Sequence, residues 1–227
     1  MKKEKISMVQ MLLTVLSVVT LLVSNVIASK QIILPFNIVM TGAIVIFPIT
    51  YILSDVFSEV YGYKYSRFVC YLSFTANAFM VAVYQIVINL KAPEYWTLQE
   101  AFQSVLGNTP RILFASMFAF LIGDWMNDLV FAKMKAKYKN THEKFGYRAI
   151  LSSVTGEIVD SLIFLPIAFI GSMPIQALVI MTITQVLIKT GYEILILPVT
   201  KLMVTKVSRY EKGLDDGTKY RVDRCSC

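Results

Sequence analysis

The stretch 152–171 is long enough to cross a bilayer, yet it carries two carboxylates, Glu157 and Asp160, well inside its length. Three residues apart, they lie on nearly one helical face. A charge placed in lipid costs about 2.5–3.5 kcal/mol on insertion scales, so two such groups require partners or a polar cavity. The chain's other apolar runs, about twenty residues each and so of bilayer-spanning length, supply them. Asp124 and Asp128 lie in the fourth run, and Gln185, Lys189 and Glu193 in the sixth. The runs are too long and too uniformly apolar for the alternating strands of a barrel. The expected fold is an all-α membrane protein, and a soluble chain of 227 residues would not be 56% hydrophobic.

The spans are expected at 8–28, 38–53, 68–90, 111–131, 152–171 and about 175–204. The first resembles a signal peptide in its basic head. Its apolar run is too long, however, and no small-x-small cleavage site precedes Lys30. Residues 91–110 form the longest connection and hold Tyr95 and Trp96, an expected interfacial anchor. The chain divides into a transmembrane domain, 1–205, and a frayed polar tail, 206–227. No convincing direct repeat is present.

Lys and Arg sort by side. The head, the second-to-third loop, the fourth-to-fifth loop and the tail together hold eighteen, against Lys30, Lys91 and Arg111 on the opposite face. This positive-inside bias places both termini in the cytoplasm of a multi-pass plasma-membrane protein, which requires an even number of spans. Six transmembrane helices satisfy it. At 1.5 Å of rise per residue, Asn77, Asp124, Asp160 and Lys189 fall in the middle third of a slab about 30 Å thick. Asp55, Glu59 and Asp128 lie nearer the cytoplasmic edge, and Asn25 nearer the outer one.

Several functions are excluded or disfavoured. The net charge of +7 sits between the spans and sets topology. No nucleic-acid module accompanies it, so no nucleic-acid partner is expected. Cys70 reads as a packing residue, and Cys225 and Cys227 as part of a solvated tail. No phosphate-binding Gly-x-x-x-x-Gly-Lys-Ser/Thr loop is present. Ile122-Gly123-Asp124 matches only half of an intramembrane aspartyl protease signature, because Leu121 stands where that signature has Gly. The sole histidine, His142, lies in the basic loop. Neither catalysis nor a cofactor or metal site is expected.

Gln185, Lys189 and Glu193 recur every four residues as one polar stripe. As structural glue, Lys189 would neutralise Glu193 or Asp160. Interhelical polar contacts in membranes average well under 1 kcal/mol, too little to offset several buried charges. Seven span carboxylates against one span lysine therefore favour a functional cavity. A carboxylate, an amide and an ammonium suit a flat heterocycle with mixed donors and acceptors, such as a guanine-like edge. Trp125, Phe164 or Tyr192 would be available to stack on it.

The chain resembles the queuosine precursor transporter family, also called the vitamin uptake transporter family. The similarity runs through Ser24-Asn25-x-x-Ala28-x-Lys30, Asp55-x-x-x-Glu59-Val60-Tyr61-Gly62 and Gly123-Asp124-x-x-Asn127. It continues through Ala132-Lys133-x-Lys135, Gly156-x-x-x-Asp160-x-x-Ile163-Phe164 and Lys189-x-x-x-Glu193 before Pro198. Asp124 stands where Glu is as frequent in the family, and Asp128 where a small hydroxyl residue is usual. The resemblance implies six helices and inner-membrane import of 7-deazaguanine bases for tRNA modification: the 7-cyano or 7-aminomethyl forms, or queuine. It also implies a bundle resembling energy-coupling-factor substrate-binding subunits, with a homodimer as one allowed assembly. By that match Asp160 and Asn127 contact the base edge and Lys189 is the carbonyl or counter-charge partner. Asn25, Asp124, Gln185 and Glu193 support them, and Asp55 and Glu59 serve gating or proton coupling. The alternative is a substrate-binding subunit of an energy-coupling-factor vitamin importer. Such subunits dock their partner through small residues four apart in the first helix, which 8–26 lacks.

Overall fold

In the computed structural model, residues 6–35, 38–137 and 145–223 are described. The side chains of Asp128 and Glu193 lie outside that description, as do Cys225 and Cys227. Helix α1 spans Met8–Ile27, and Ser7 caps it by accepting from the Gln10 amide at 2.9 Å. A hairpin follows, with β1 at Gln31–Leu34 and β2 at Ile38–Thr41 paired antiparallel. A 3₁₀ turn, Gly42–Val45, leads into α2 at Phe47–Val56, and a π-helical turn, Phe57–Tyr61, extends it. Gly62, at a φ of 83° that favours glycine, turns the chain into α3 at Tyr63–Asn89. Then come α4 at Gln99–Leu106, α5 at Thr109–Lys137, α6 at Phe145–Phe169 and α7 at Ile175–Asp223.

Three sequence expectations change. Residues 38–45 are strand and 3₁₀ turn rather than the start of the second span. Ile38, Val39 and Met40 follow a turn-forming Pro35 and pair back onto Leu34, Ile33 and Ile32, a run in which β-branched Ile and Val favour strand. The 91–110 connection contains α4. The stretch read as a frayed tail continues α7 as helix to Asp223, through Pro198.

The helices close into a ring. α1 packs on α3, α3 on α5, α5 on α6, α6 on α7, α7 on α2, and α2 on α1. Its polarity is inverted relative to a soluble protein. Leu12, Val15, Phe79, Phe118, Ile183 and Leu187 are exposed, while Asn77, Ser161 and Gln185 are fully buried. An apolar exterior around a polar interior suits hydrocarbon surroundings. Among the described residues four helical segments, Met8–Ile27, Lys64–Asn89, Gln99–Asn127 and Ile175–Gly213, are long and apolar enough to cross a membrane.

Arg111 fastens α5 to the end of α6. Its guanidinium donates to the carbonyls of Ile167 at 2.6 Å and Ile170 at 2.7 Å, satisfying acceptors that a helix C-terminus leaves free.

Candidate functional site

Helix α7 positions Gln185 and Lys189 one turn apart on one face, and α6 brings Asp160 to meet them. Lys189 is buried, and its Nζ lies 2.6 Å from Asp160 Oδ2. The same ammonium stands 5.1 Å from the centroid of the Phe47 ring, contributed by α2. Glu157, a turn before Asp160, lies beside Tyr51 and Thr190 and within electrostatic reach of Lys189. This corner between α2, α6 and α7 thus holds two carboxyl groups against one ammonium. It also holds unused hydrogen-bonding capacity: both amide atoms of Gln185, Thr190 Oγ1 and Glu157 Oε2 have no hydrogen-bond partner among the described residues, as is true of both amide atoms of Asn77 on α3. Such groups cost about 1–3 kcal/mol each when buried unsatisfied, so the corner can offer hydrogen bonds to a polar molecule or to water.

Asn127 enters from α5. A Cβ on Gly156 would lie 3.1 Å from Asn127 Cβ, and one on Gly123 would lie 3.1 Å from Asp160 Cβ. The two glycines let α5 and α6 approach backbone to backbone, which sets Asn127 and Asp160 on facing helices at the crossing. Asp124 turns the other way and forms an ion pair with Arg67 of α3. Asn25 is buried in α1, its Nδ2 without a partner among the described residues. It precedes Val26 and Ile27, which with Lys30, Gly42 and Val105 line a cleft of about 490 Å³ beneath the hairpin. Asp55 and Glu59 are neighbours at the opposite end, the first half-buried and the second exposed.

That opposite end carries contacts that the sequence did not reveal. Ser7 Oγ donates to Glu211, and Tyr61 Oη donates to Glu211 Oε1 at 2.8 Å, joining α1, the π-helical turn and α7. Burial, and then the Glu211 carboxylate, push the Tyr61 pKa upward, so its hydroxyl stays a donor. Tyr65 meets Thr14 at 2.8 Å, and the rings of Phe57, Tyr61, Tyr65 and Phe68 run in series. Of the aromatics expected to stack on a ligand, Trp125 is exposed on the outside of the ring and Phe164 packs in the core, while Phe47 takes the place beside Lys189.

The segment holding this corner, residues 41–203, matches the family described as "Putative vitamin uptake transporter". The match covers well over half of the 227 residues. The chain belongs to the vitamin uptake transporter family. A relative from Bacillus subtilis (strain 168), described as "Probable queuosine precursor transporter", is 23% identical over 163 residues, covering 72% of this transporter and 71% of the relative. No solved structure matches the transporter. The family match spans α2 to most of α7, and so includes every element that contributes to the corner.

Proposed function

We propose that this transporter imports a queuosine precursor, a 7-deazaguanine base such as the 7-cyano or 7-aminomethyl form or queuine, for tRNA modification. In this reading Asp160 accepts from the adjacent N–H donors of the base and Lys189 donates to its carbonyl oxygen. Asn127 and Gln185 take the remaining edge, with Asn25, Asp124 and Glu193 in support. Asp55 and Glu59 act in gating or proton coupling. The observation that carries the reading is the ion pair of buried Lys189 with half-buried Asp160, with Gln185 fully buried one turn away and its amide without a hydrogen-bond partner among the described residues. The name given to the Bacillus relative supports the choice of base over other vitamins.

Six crossings complete the proposal. The closed ring of six helices supports them, and α6, at 25 residues, is about 37 Å long. Contact between Ser7 and Glu211 brings the start of α1 and the later part of α7 together, which supports one shared face for them, and the positive-inside bias supports reading that face as cytoplasmic. The test is tRNA analysis in a host that cannot synthesise the precursor. Expression of this chain with 7-cyano-7-deazaguanine in the medium is expected to restore queuosine in tRNA, and Asp160→Asn, inserted at the same level, to abolish it. Failure of the wild-type chain to restore it, or full restoration by the variant, would overturn the proposal.

A further inference from the structure

Helix α7 is longer than one membrane crossing needs. From Ile175 to Gly213 it runs 39 residues, about 58 Å at 1.5 Å of rise each, against a hydrocarbon core about 30 Å thick. Its later part is tied down by Glu211, which accepts from Ser7 at the start of α1 and from Tyr61 Oη of the π-helical turn. Val207, one turn earlier on that side, is buried. This docking turns the opposite side outward, where Lys206, Arg209, Tyr210 and Lys212 are all exposed. Lys206, Arg209 and Lys212 follow one another at three-residue spacing and so form one basic row. Among the described residues the row has no ion-pair partner. Glu211, the one carboxylate between residues 194 and 213, faces the other way.

The Ser7 contact also sets the level of the row in the bilayer. Ser7 caps α1, whose 20 residues measure about 30 Å, the thickness of the hydrocarbon core. Exposed Ile6, Met8 and Leu12 continue the lipid-facing side of α1 up to that point. Ser7 therefore marks one edge of the core, and Glu211 stands level with it. Arg209 and Lys212 lie within two residues of Glu211, about 3 Å of rise, and so fall among the headgroups. Lys206, nearer the core, extends its stem toward the same layer. Tyr210 is of the aromatic type that membrane interfaces collect, and Val199 and Leu202, exposed on the core side of the row, suit acyl chains. Lys201 interrupts that apolar part, as lysines near the ends of spanning helices do by reaching back to the interface. We infer that Lys206, Arg209 and Lys212 bind the phosphate headgroup of an anionic phospholipid in the adjoining leaflet, with its chains along Leu202 and Val199. Basic clusters next to a spanning helix attract such headgroups charge by charge. An acidic soluble partner would need the row clear of the bilayer, whereas Glu211 holds it level with the start of α1. The inference goes beyond the transport reading and does not depend on which molecule crosses.

The experiment reads the thermal denaturation midpoint of the full chain in a nonionic detergent, with phosphatidylglycerol or phosphatidylcholine added to the micelles. Phosphatidylglycerol is expected to raise the midpoint more than phosphatidylcholine does, because a ligand held by the folded state stabilises it. That excess should shrink at about 1 M salt, where the screening length falls to about 3 Å. The variant Lys206→Gln/Arg209→Gln/Lys212→Gln is expected to keep the lipid-free midpoint and to lose at least half of the excess. Arg209→Gln alone should lose a smaller part. Lys133→Gln/Lys135→Gln/Lys137→Gln, which removes equal charge from the end of α5, should keep most of it. Glycerol 1-phosphate, the anion without the chains, should leave the midpoint where it was. No excess in the wild type, an excess indifferent to salt, or an equal excess in the α7 triple variant would overturn the inference. So would an equal loss in the α5 variant, which would show attraction by net charge alone, or an equal rise with glycerol 1-phosphate, which would show a site for free anions.

Discussion

Helix α6 has two differently built neighbours within two turns of its length. Against α5 it makes a glycine-to-glycine crossing with no room for a methyl group on either side. Against α7 and α2 it makes a corner where a carboxylate and an ammonium meet beside buried amide and hydroxyl groups that lack partners. The first interface fixes spacing. The second leaves bonding capacity unfilled, which a purely structural contact avoids because unsatisfied polar groups are costly away from water. The contrast separates a close-packed frame from the corner proposed to take the ligand.

The largest expected effect comes from the corner. Asp160→Asn takes the direct ion-pair partner from the buried Lys189 ammonium, leaving it Glu157 at longer range, and should cost about 3 kcal/mol. That is near the low end for such pairs, because the Asp160 side chain keeps 26% exposure. Uptake of labelled base should vanish, and unfolding in mixed detergent should shift accordingly. Next comes the frame. Gly156→Ala should destabilise by about 1–3 kcal/mol, because the added carbon must push against backbone rather than a movable side chain. Gly123→Ala should match it, because each added carbon would meet the facing glycine's carbonyl oxygen at 2.9 Å, and a large difference between the two would show that the crossing is not equally tight on both sides. The smallest effect belongs to Phe47→Leu, which keeps apolar volume and removes only the ring face over Lys189. About 0.5–1 kcal/mol of stability should be lost, with a modest fall in uptake.

The membrane-spanning runs and their interior carboxylates were legible because charge inside twenty apolar residues has few innocuous explanations. Asp160 was legible as a partner of Lys189 for the same reason. The hairpin was not, since Ile38-Val39-Met40 continues into an apolar run and periodicity alone does not separate a short strand from a helix end. Arg67 and Phe47 escaped notice because one sits among loop charges and the other among many phenylalanines. Only the ring order brings them to Asp124 and Lys189. Gly123 and Gly156 were legible as parts of the family motifs, but not their packing role: each stands four residues before Asn127 or Asp160, where small residues allow close helix approach. The length of α7 was hidden by its charge, which resembles a solvated tail while Glu211 in fact meets Ser7 and Tyr61.

The claim that the unsatisfied corner is a ligand site is tested most directly through Gln185. Gln185→Leu removes two unpartnered buried polar atoms at similar volume, so the ligand-free chain should denature at a higher temperature than wild type. Addition of 7-cyano-7-deazaguanine should raise the wild-type midpoint and leave that of the variant where it was. An equal ligand-induced rise in both would contradict the account.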